Sequence, residues 1–278
     1  MASTATLRAR VESALGEHLS STLLLRERTA PRTVSTGVAA LDALTGGWPR
    51  GALSEISGAA SSGRTGVMLA ALAGATRREE ACALVDASDN FDPASAAAAG
   101  VDLERLLWVR CGGSNGAPLR KDQRRGALGR LEQVLKVTDL LLQGGGFGMV
   151  ALDLGDVAAE SVRRVPLTSW FRFRRAVEPT ATVLLVVERE ACAKTCASLV
   201  LRLQRTAVCA RDSALRAQPE SQGWKVLGRE TDAIPSANGV SHADLLRGMQ
   251  LRAEVVRSWA QRKPMHSVGA NFELRAAW

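Results

Sequence analysis

The sequence predicts an α/β fold: a mostly parallel sheet with helices on both faces and an antiparallel edge toward the C-terminus. Three observations predict it. Short apolar, β-branched-rich runs alternate with helical segments between residues 53 and 188, as strands buried on both faces do. One of those runs leads into Ser57-Gly-Ala-Ala-Ser-Ser-Gly-Arg-Thr65 and then a helix, the strand–glycine loop–helix order that a phosphate site requires. Beyond Glu188 the runs alternate apolar with polar, in the manner of strands with one open face.

Taken in order, residues 7–19 carry apolar side chains at helical spacing (Leu7, Val11, Ala14, Leu15, Leu19), and a basic, proline-containing link follows at 26–32. Residues 1–32 are therefore expected to be an N-terminal helical arm and linker, and 33–278 a core domain. The stretch 34–51 reads as a short helix ending in a glycine turn. Residues 53–57 are the strand that feeds the glycine loop, and 66–77 the helix after it. Further strands are expected at 81–86, 106–110, 149–154 and 182–188. Helices lie between them, notably 119–142 with its stripe Leu128, Leu131 and Leu135. Segments 198–205 and 250–258 alternate as strands, and 269–275 follows a proline-containing turn; together they predict the antiparallel edge. The intervening stretch 210–247 is rich in Ser, Gly, Gln and Pro without a sustained period, and reads as a surface insertion.

With 46% hydrophobic and 23% charged residues over 278 positions, the composition is that of a globular chain with a sizeable core. Lys and Arg outnumber Asp and Glu by 36 to 28, a net charge of +8 that favours polyanionic partners through counterion release. The five cysteines (Cys82, Cys111, Cys192, Cys196, Cys209) form no C-x-x-C pair, as suits a reducing cytoplasm. Cys192 and Cys196 would need further ligands to hold a metal. His18, His242 and His266 are too scattered to supply them, so no structural metal is expected. No stretch approaches the length of about 18 apolar residues that spans a membrane, and residues 1–30 hold three Glu among their Arg. Neither a membrane span nor a transit peptide is expected, and the protein reads as soluble and cytoplasmic.

Gly58, Gly63 and Thr65 keep the spacing of G-x-x-x-x-G-K-[ST], and only Arg64 departs from it. The backbone N–H groups of such a turn face an anion, so Gly58, Ser61, Ser62, Gly63, Arg64 and Thr65 are the candidate nucleotide contacts. Lysine brings a compact ammonium on a flexible stem, whereas guanidinium is planar and broader. Arg64 can attract phosphate but is poorly shaped for transfer, where losing a positioned donor costs about 10²–10³ in rate. Asp153 ends an apolar strand and, with Thr65, is the candidate Mg²⁺ contact; the alternative is that it only caps the next turn. Asp86 ends a neighbouring strand and can share the same cleft.

Several stretches carry a family likeness: Val34-Ser-Thr-Gly with Leu41-Asp42, Gly51 to Thr65, Val85-Asp86-Ala87 with Phe91-Asp92-Pro93, and Gly100-Val-Asp102. To these are added Ala151-Leu-Asp153, Val255-Val-Arg-Ser-Trp259 with Lys263-Pro, and Phe272-Glu-Leu274. Over residues 34–275, with gaps, the chain resembles the RecA recombinase family. The resemblance implies a RecA-like P-loop NTPase core and a site for ATP and Mg²⁺. Within that superfamily the chain is most similar to the ImuA branch, RecA-like accessory proteins of damage-induced mutagenesis. Those proteins serve alongside an inactive Y-family polymerase homologue and an error-prone replicative polymerase.

The departures fall on catalytic positions. Ser88 stands where recombinases carry the glutamate that activates water, and serine is a poor base at neutral pH. Arg189, within Glu188-Arg189-Glu190, stands where they carry a glutamine that senses the γ-phosphate. Arg257 and Trp259 replace two lysines that reach a neighbour's nucleotide, and the second DNA loop is reduced to about 191–195. The first DNA loop and its helix fall on Arg163, Arg164 and the stretch 168–175, with Arg172, Arg174 and Arg175. Arginines interleaved with aromatics suit single-strand binding. Trp170, Phe173 and Val177 are equally the i, i+3, i+7 face of a helix packed on the sheet, with the arginines solvated. Arg120, Lys121, Arg124, Arg125 and Arg130 make a second basic face of the kind that is usually solvated surface. The N-terminal arm resembles the element that docks recombinase subunits, which allows a homo-oligomer, and Trp278 ends a tail that either docks or frays.

The leading expectation is an accessory protein of DNA repair, the SOS response and translesion mutagenesis that does not hydrolyse ATP. It would bind single-stranded DNA, a RecA-type recombinase or a Y-family polymerase homologue. One alternative is an active DNA-dependent ATPase with an arginine-tolerant loop. Another is an interaction module that touches no nucleic acid.

Overall fold

The structure, a computed structural model, describes residues 32–111, 123–210, 246–258 and 268–275. The chain divides into Met1–Arg32 and Thr33–Trp278. The expected N-terminal arm, residues 211–245 of the expected insertion, Arg120, Lys121, Trp259, Lys263 and Trp278 lie outside the described residues.

Ten strands and six α-helices are described in the second unit. A two-stranded ribbon, β1 (Thr33–Val34) with β2 (Trp48–Pro49), brackets α1 (Ala39–Thr45). That helix ends, as expected, on a glycine turn at Gly46, φ 76°. Then follow β3 (Ala52–Gly58), α2 (Arg64–Arg77), β4 (Cys82–Asp86), α3 (Pro93–Ala98), β5 (Leu106–Arg110), α4 (Gln123–Gly144) and β6 (Met149–Asp153). The remainder is α5 (Ala159–Arg163), α6 (Leu167–Val177), β7 (Val183–Glu188), β8 (Ala197–Ala210), β9 (Leu246–Arg257) and β10 (Gly269–Arg275). The main sheet runs β10-β9-β8-β3-β7-β6-β4-β5. It is parallel from β8 through β5 and antiparallel at β8–β9 and β9–β10.

Every residue of β3, β4 and β7 is buried, which is why β4 and β7 read as nearly unbroken apolar runs, while β3 buries Ser54, Glu55 and Ser57 among its apolar residues. Alternate side chains divide between two cores. Val183, Leu185 and Val187 face Met68 and Leu72 of α2, while Leu184 and Val186 face Val134 of α4 and Phe173 of α6. On α6, Trp170, Phe173 and Val177 are buried as the helix-face reading expects, with Trp170 edge-on to Phe173 at 5.9 Å. No helix among the described residues is long and apolar enough to cross a membrane.

Two expectations are corrected. The segment 198–205 was expected in the antiparallel extension, yet β8 runs parallel to β3 and turns antiparallel only against β9. Alternation marks a strand with one open face and says nothing of its direction. In addition, residues 210, 246 and 247 of the expected insertion belong to β8 and β9.

The parallel placement of β8 demands a return from the end of β7 to the start of β8, a job that usually takes a dozen or more residues and a helix. Here residues 189–196 do it, a short strap over the face packed by α4 and α6. Cys192, Ala193 and Cys196 of the strap are buried there, so its amides need acceptors away from water. Two buried acids supply them. Glu55 Oε1 accepts from Cys192 N at 3.0 Å and Ala193 N at 2.5 Å. Glu188 Oε1 accepts from Cys192 N at 2.9 Å, and its Oε2 from the Cys192 thiol at 2.5 Å. Burial first, then hydrogen bonding to the Glu55 carboxylate, raises Glu188 to about 9, and burial holds the Cys192 thiol protonated. The carboxyl oxygens and the sulfur lie within 4.8 Å of one another.

Candidate functional site

The glycine loop spans the end of β3 to the first turn of α2. Its shape is built by packing. Gly63 has φ 85°, and a Cβ there would stand 2.2 Å from Leu251 Cδ1 of β9. A Cβ on Gly66 would stand 2.8 Å from Leu274 Cδ1 of β10, and one on Gly58 2.5 Å from both Leu203 O and Ser62 Oγ. Gly63 by its left-handed backbone and Gly58 by its approach to the Leu203 carbonyl call for glycine with or without a ligand, whereas at Gly66 only a leucine methyl would have to shift. Beside the loop opens a cavity of about 760 Å³. Ser57, Gly58, Ala59, Ala60 and Ser62 line it together with Arg189, Glu190, Arg202 and Arg205, Arg202 standing next to Ser57 in the β3–β8 pairing. Ser62 is 3% exposed and its Oγ has no partner. A buried hydroxyl facing a cavity at a helix N-terminus is set to meet an anion.

Arg64 is not in that cavity wall. Its guanidinium is buried and donates to the Gly155 carbonyl, just beyond β6, from Nη1 at 3.4 Å and Nη2 at 3.5 Å. Arg189 Nε donates to the same carbonyl at 3.1 Å, and its Nη2 lies 3.7 Å from Asp156 Oδ1. Desolvation lowers the Arg64 pKa, with Asp153 opposing it. Asp153 Oδ1 accepts from Gly155 N at 2.8 Å, so this residue does cap the turn after its strand. Burial raises Asp153 to about 6, against the pull of the Gly155 N–H and with Asp86 and Asp156 adding to the rise. Asp86 is committed elsewhere: Oδ1 accepts from Ser88 N and Asp89 N, and Oδ2 from Phe91 N and Trp108 Nε1. Thr65 is exposed on the first turn of α2, and Ser61 sits at φ 57°.

The basic candidates spread over the ends of α5 and α6. Arg163 pairs with Glu190, Arg172 Nε bonds Asp139 Oδ1 at 2.9 Å, Arg164 and Arg175 are exposed, and Arg174 is half-buried. Arg257 reaches the Lys194 carbonyl of the strap. Of the predicted nucleotide contacts, the cavity gathers Gly58 and Ser62, along with Arg189. Sequence reasoning missed Arg202 and Arg205; the alternation of Leu201 and Leu203 with Arg202 and Gln204 was the available signal.

A family model described as the RecA N-terminal domain matches residues 5–119. Protein RecA of Synechococcus sp. (strain WH7803) is 47% identical over 81 residues, 29% of this chain and 21% of that one. Protein RecA of Lactobacillus acidophilus is 35% identical over 123 residues, 44% of this chain and 29% of that one. These matches support RecA-family membership. The alignments thus span about a fifth to under a third of these RecA proteins. The crystal structure of the RadB recombinase superposes with a TM-score of 0.52 over 88% of this chain and 97% of that one, at 16% identity. The RecA-like α/β fold, mostly parallel with an antiparallel edge, is therefore shared.

RecA-family proteins use ATP and Mg²⁺, and the two groups fare differently here. The loop amides and the orphan Ser62 hydroxyl fit a phosphate. A divalent cation does not fit. A Cβ on Gly155 would stand 3.0 Å from Asp153 Oδ1 and 3.1 Å from Arg64 Nη1, so a carboxylate and a guanidinium both crowd the turn after β6. A dication on Asp153 would add positive charge beside a buried guanidinium whose charge the Asp153 carboxylate already partly offsets, a like-charge repulsion that burial strengthens. The neighbouring acid, Asp86, has four donors on its two oxygens.

Proposed function

We propose that this chain is a RecA-family accessory protein of DNA repair, of the ImuA kind, acting in the SOS response and translesion mutagenesis without turning over ATP. It works in the cytoplasm by contact with single-stranded DNA and with a RecA-type recombinase or a Y-family polymerase homologue. The observation that carries the reading is the direction of Arg64. The one cation at the lysine position of the loop is turned onto the Gly155 carbonyl and away from the cavity. Ser88 compounds the loss, because the position of the water-activating acid offers a hydroxyl whose backbone N–H is bound to Asp86. The exposed Arg164 and Arg175, with Arg163, Arg172 and Arg174, supply the basic face for DNA or an acidic partner.

The test is ATP hydrolysis by the pure chain, with and without single-stranded DNA, alongside Thr65→Ala and Asp153→Ala. Turnover at or near background in all samples is expected. DNA-stimulated turnover abolished by either substitution would establish the ATPase reading instead.

A further inference from the structure

Three arginines, Arg189, Arg202 and Arg205, line the cavity beside the glycine loop. A fourth, Arg64, is fixed beside Asp153 where a divalent cation would have to bind. We propose that the cavity binds a phosphoanhydride chain, a di- or triphosphate, without any divalent metal, its charge met by guanidinium groups alone. This rests on reading the glycine loop as an anion site, and goes beyond it by naming the ligand class and the counter-charge.

The arrangement is suited to that role. The loop contributes N–H groups at the N-terminus of the 14-residue α2, and the buried Ser62 hydroxyl, which has no partner, lines the same space. Guanidinium offers paired parallel donors that match phosphate oxygens. Arg202 is only loosely held, 3.9 Å from Glu254, and can turn toward a ligand, whereas Arg189, about half exposed, would exchange its bonds to the Gly155 carbonyl and Asp156 for phosphate oxygens. The one acid on the wall, Glu190, is already paired with Arg163. A lysine-type loop gathers charge from an ammonium and a bound dication. This one has moved its own cation to the dication's side and drawn the remainder from β7 and β8.

Titration calorimetry on the full chain tests it, with ATP, ADP and inorganic tripolyphosphate as probes, each in Mg²⁺ and in excess EDTA. The expected result is a Kd that changes by less than about twofold between Mg²⁺ and EDTA, and weakens about tenfold in Arg189→Ala and in Arg205→Ala. Tripolyphosphate binding as tightly as ATP would mean the chain alone is read; tighter ATP would add a base contact. Both arms are consistent with the inference. Binding that requires Mg²⁺ would overturn the metal-free site while leaving the loop as a nucleotide site. Binding to none of the probes, or metal-free binding indifferent to both substitutions, would overturn the assignment. Because the readout is binding, it fails separately from the absence of turnover proposed above.

Discussion

Replacing Glu188 by glutamine removes the acid under the strap while keeping its shape and a donor toward Glu55. In the folded protein Glu188 keeps its proton up to about 9, against an ordinary value of 4.5. A raised carboxyl pKa means that the folded state holds a proton the unfolded chain has released. Stability is therefore full below pH 4.5 and is lost as pH rises toward 9. Each pH unit in that window costs about 1.4 kcal/mol. From pH 5 to pH 8 the unmodified protein should lose on the order of a few kcal/mol through the coupled Glu188–Glu55 pair, a large share of a domain's usual 5–15 kcal/mol. Glu188→Gln should lose none of it. At pH 5 the variant should be equal or slightly weaker; at pH 8 it should be the more stable protein. Urea unfolding of both proteins at pH 5, 6, 7 and 8 checks this, since Asp153, the other raised acid, titrates in both and cancels in the difference. Parallel stability–pH curves for the two proteins would refute the protonated pair and leave the strap without its explanation.

Two further outcomes follow from packing and charge. Gly63→Ala forces a side chain into a left-handed backbone and against Leu251 Cδ1. The backbone costs about 1–2 kcal/mol and the overpacking about 1–3 more, and Leu251→Ala in the same chain should return part of the second amount. A loss under about 1 kcal/mol in urea unfolding would show that the loop is not built by packing. For the basic face, single-stranded DNA binding measured between low and moderate salt should show a steep slope of log K on log salt. Arg172→Ala with Arg174→Ala should flatten that slope by about 0.7 to 1.4, the lower figure applying if Asp139 keeps Arg172 neutralised. An unchanged slope would place DNA elsewhere or remove it from the account.

The parallel core was legible because most of its strands are apolar runs buried on both faces, and on the antiparallel edge the alternation served: 106–110 and 269–275 coincide with β5 and β10, and the others differ by a residue or two except at β8 and β9. The direction of β8 was not legible, since an alternating strand looks the same either way. Nor was the fate of the Glu188-Arg189-Glu190 run. One acid is buried as an acceptor for the amide and thiol of Cys192, the arginine crosses to Gly155, and the second acid pairs with Arg163. Three adjacent residues point to three environments, and composition alone cannot separate them. The loop was found by its glycines, but where the Arg64 side chain points depends on a carbonyl 91 residues away.

The methyl groups that shape the glycine loop belong to Leu251 and Leu274, on the last two strands of the sheet. The glycine turn is thus finished by strands that lie far downstream of it in the chain. A fragment ending before β9 would contain each letter of the motif and still lack the mould that gives it form. The turn and the antiparallel edge are therefore coupled through contacts of long sequence separation, the kind whose loop closure is costly.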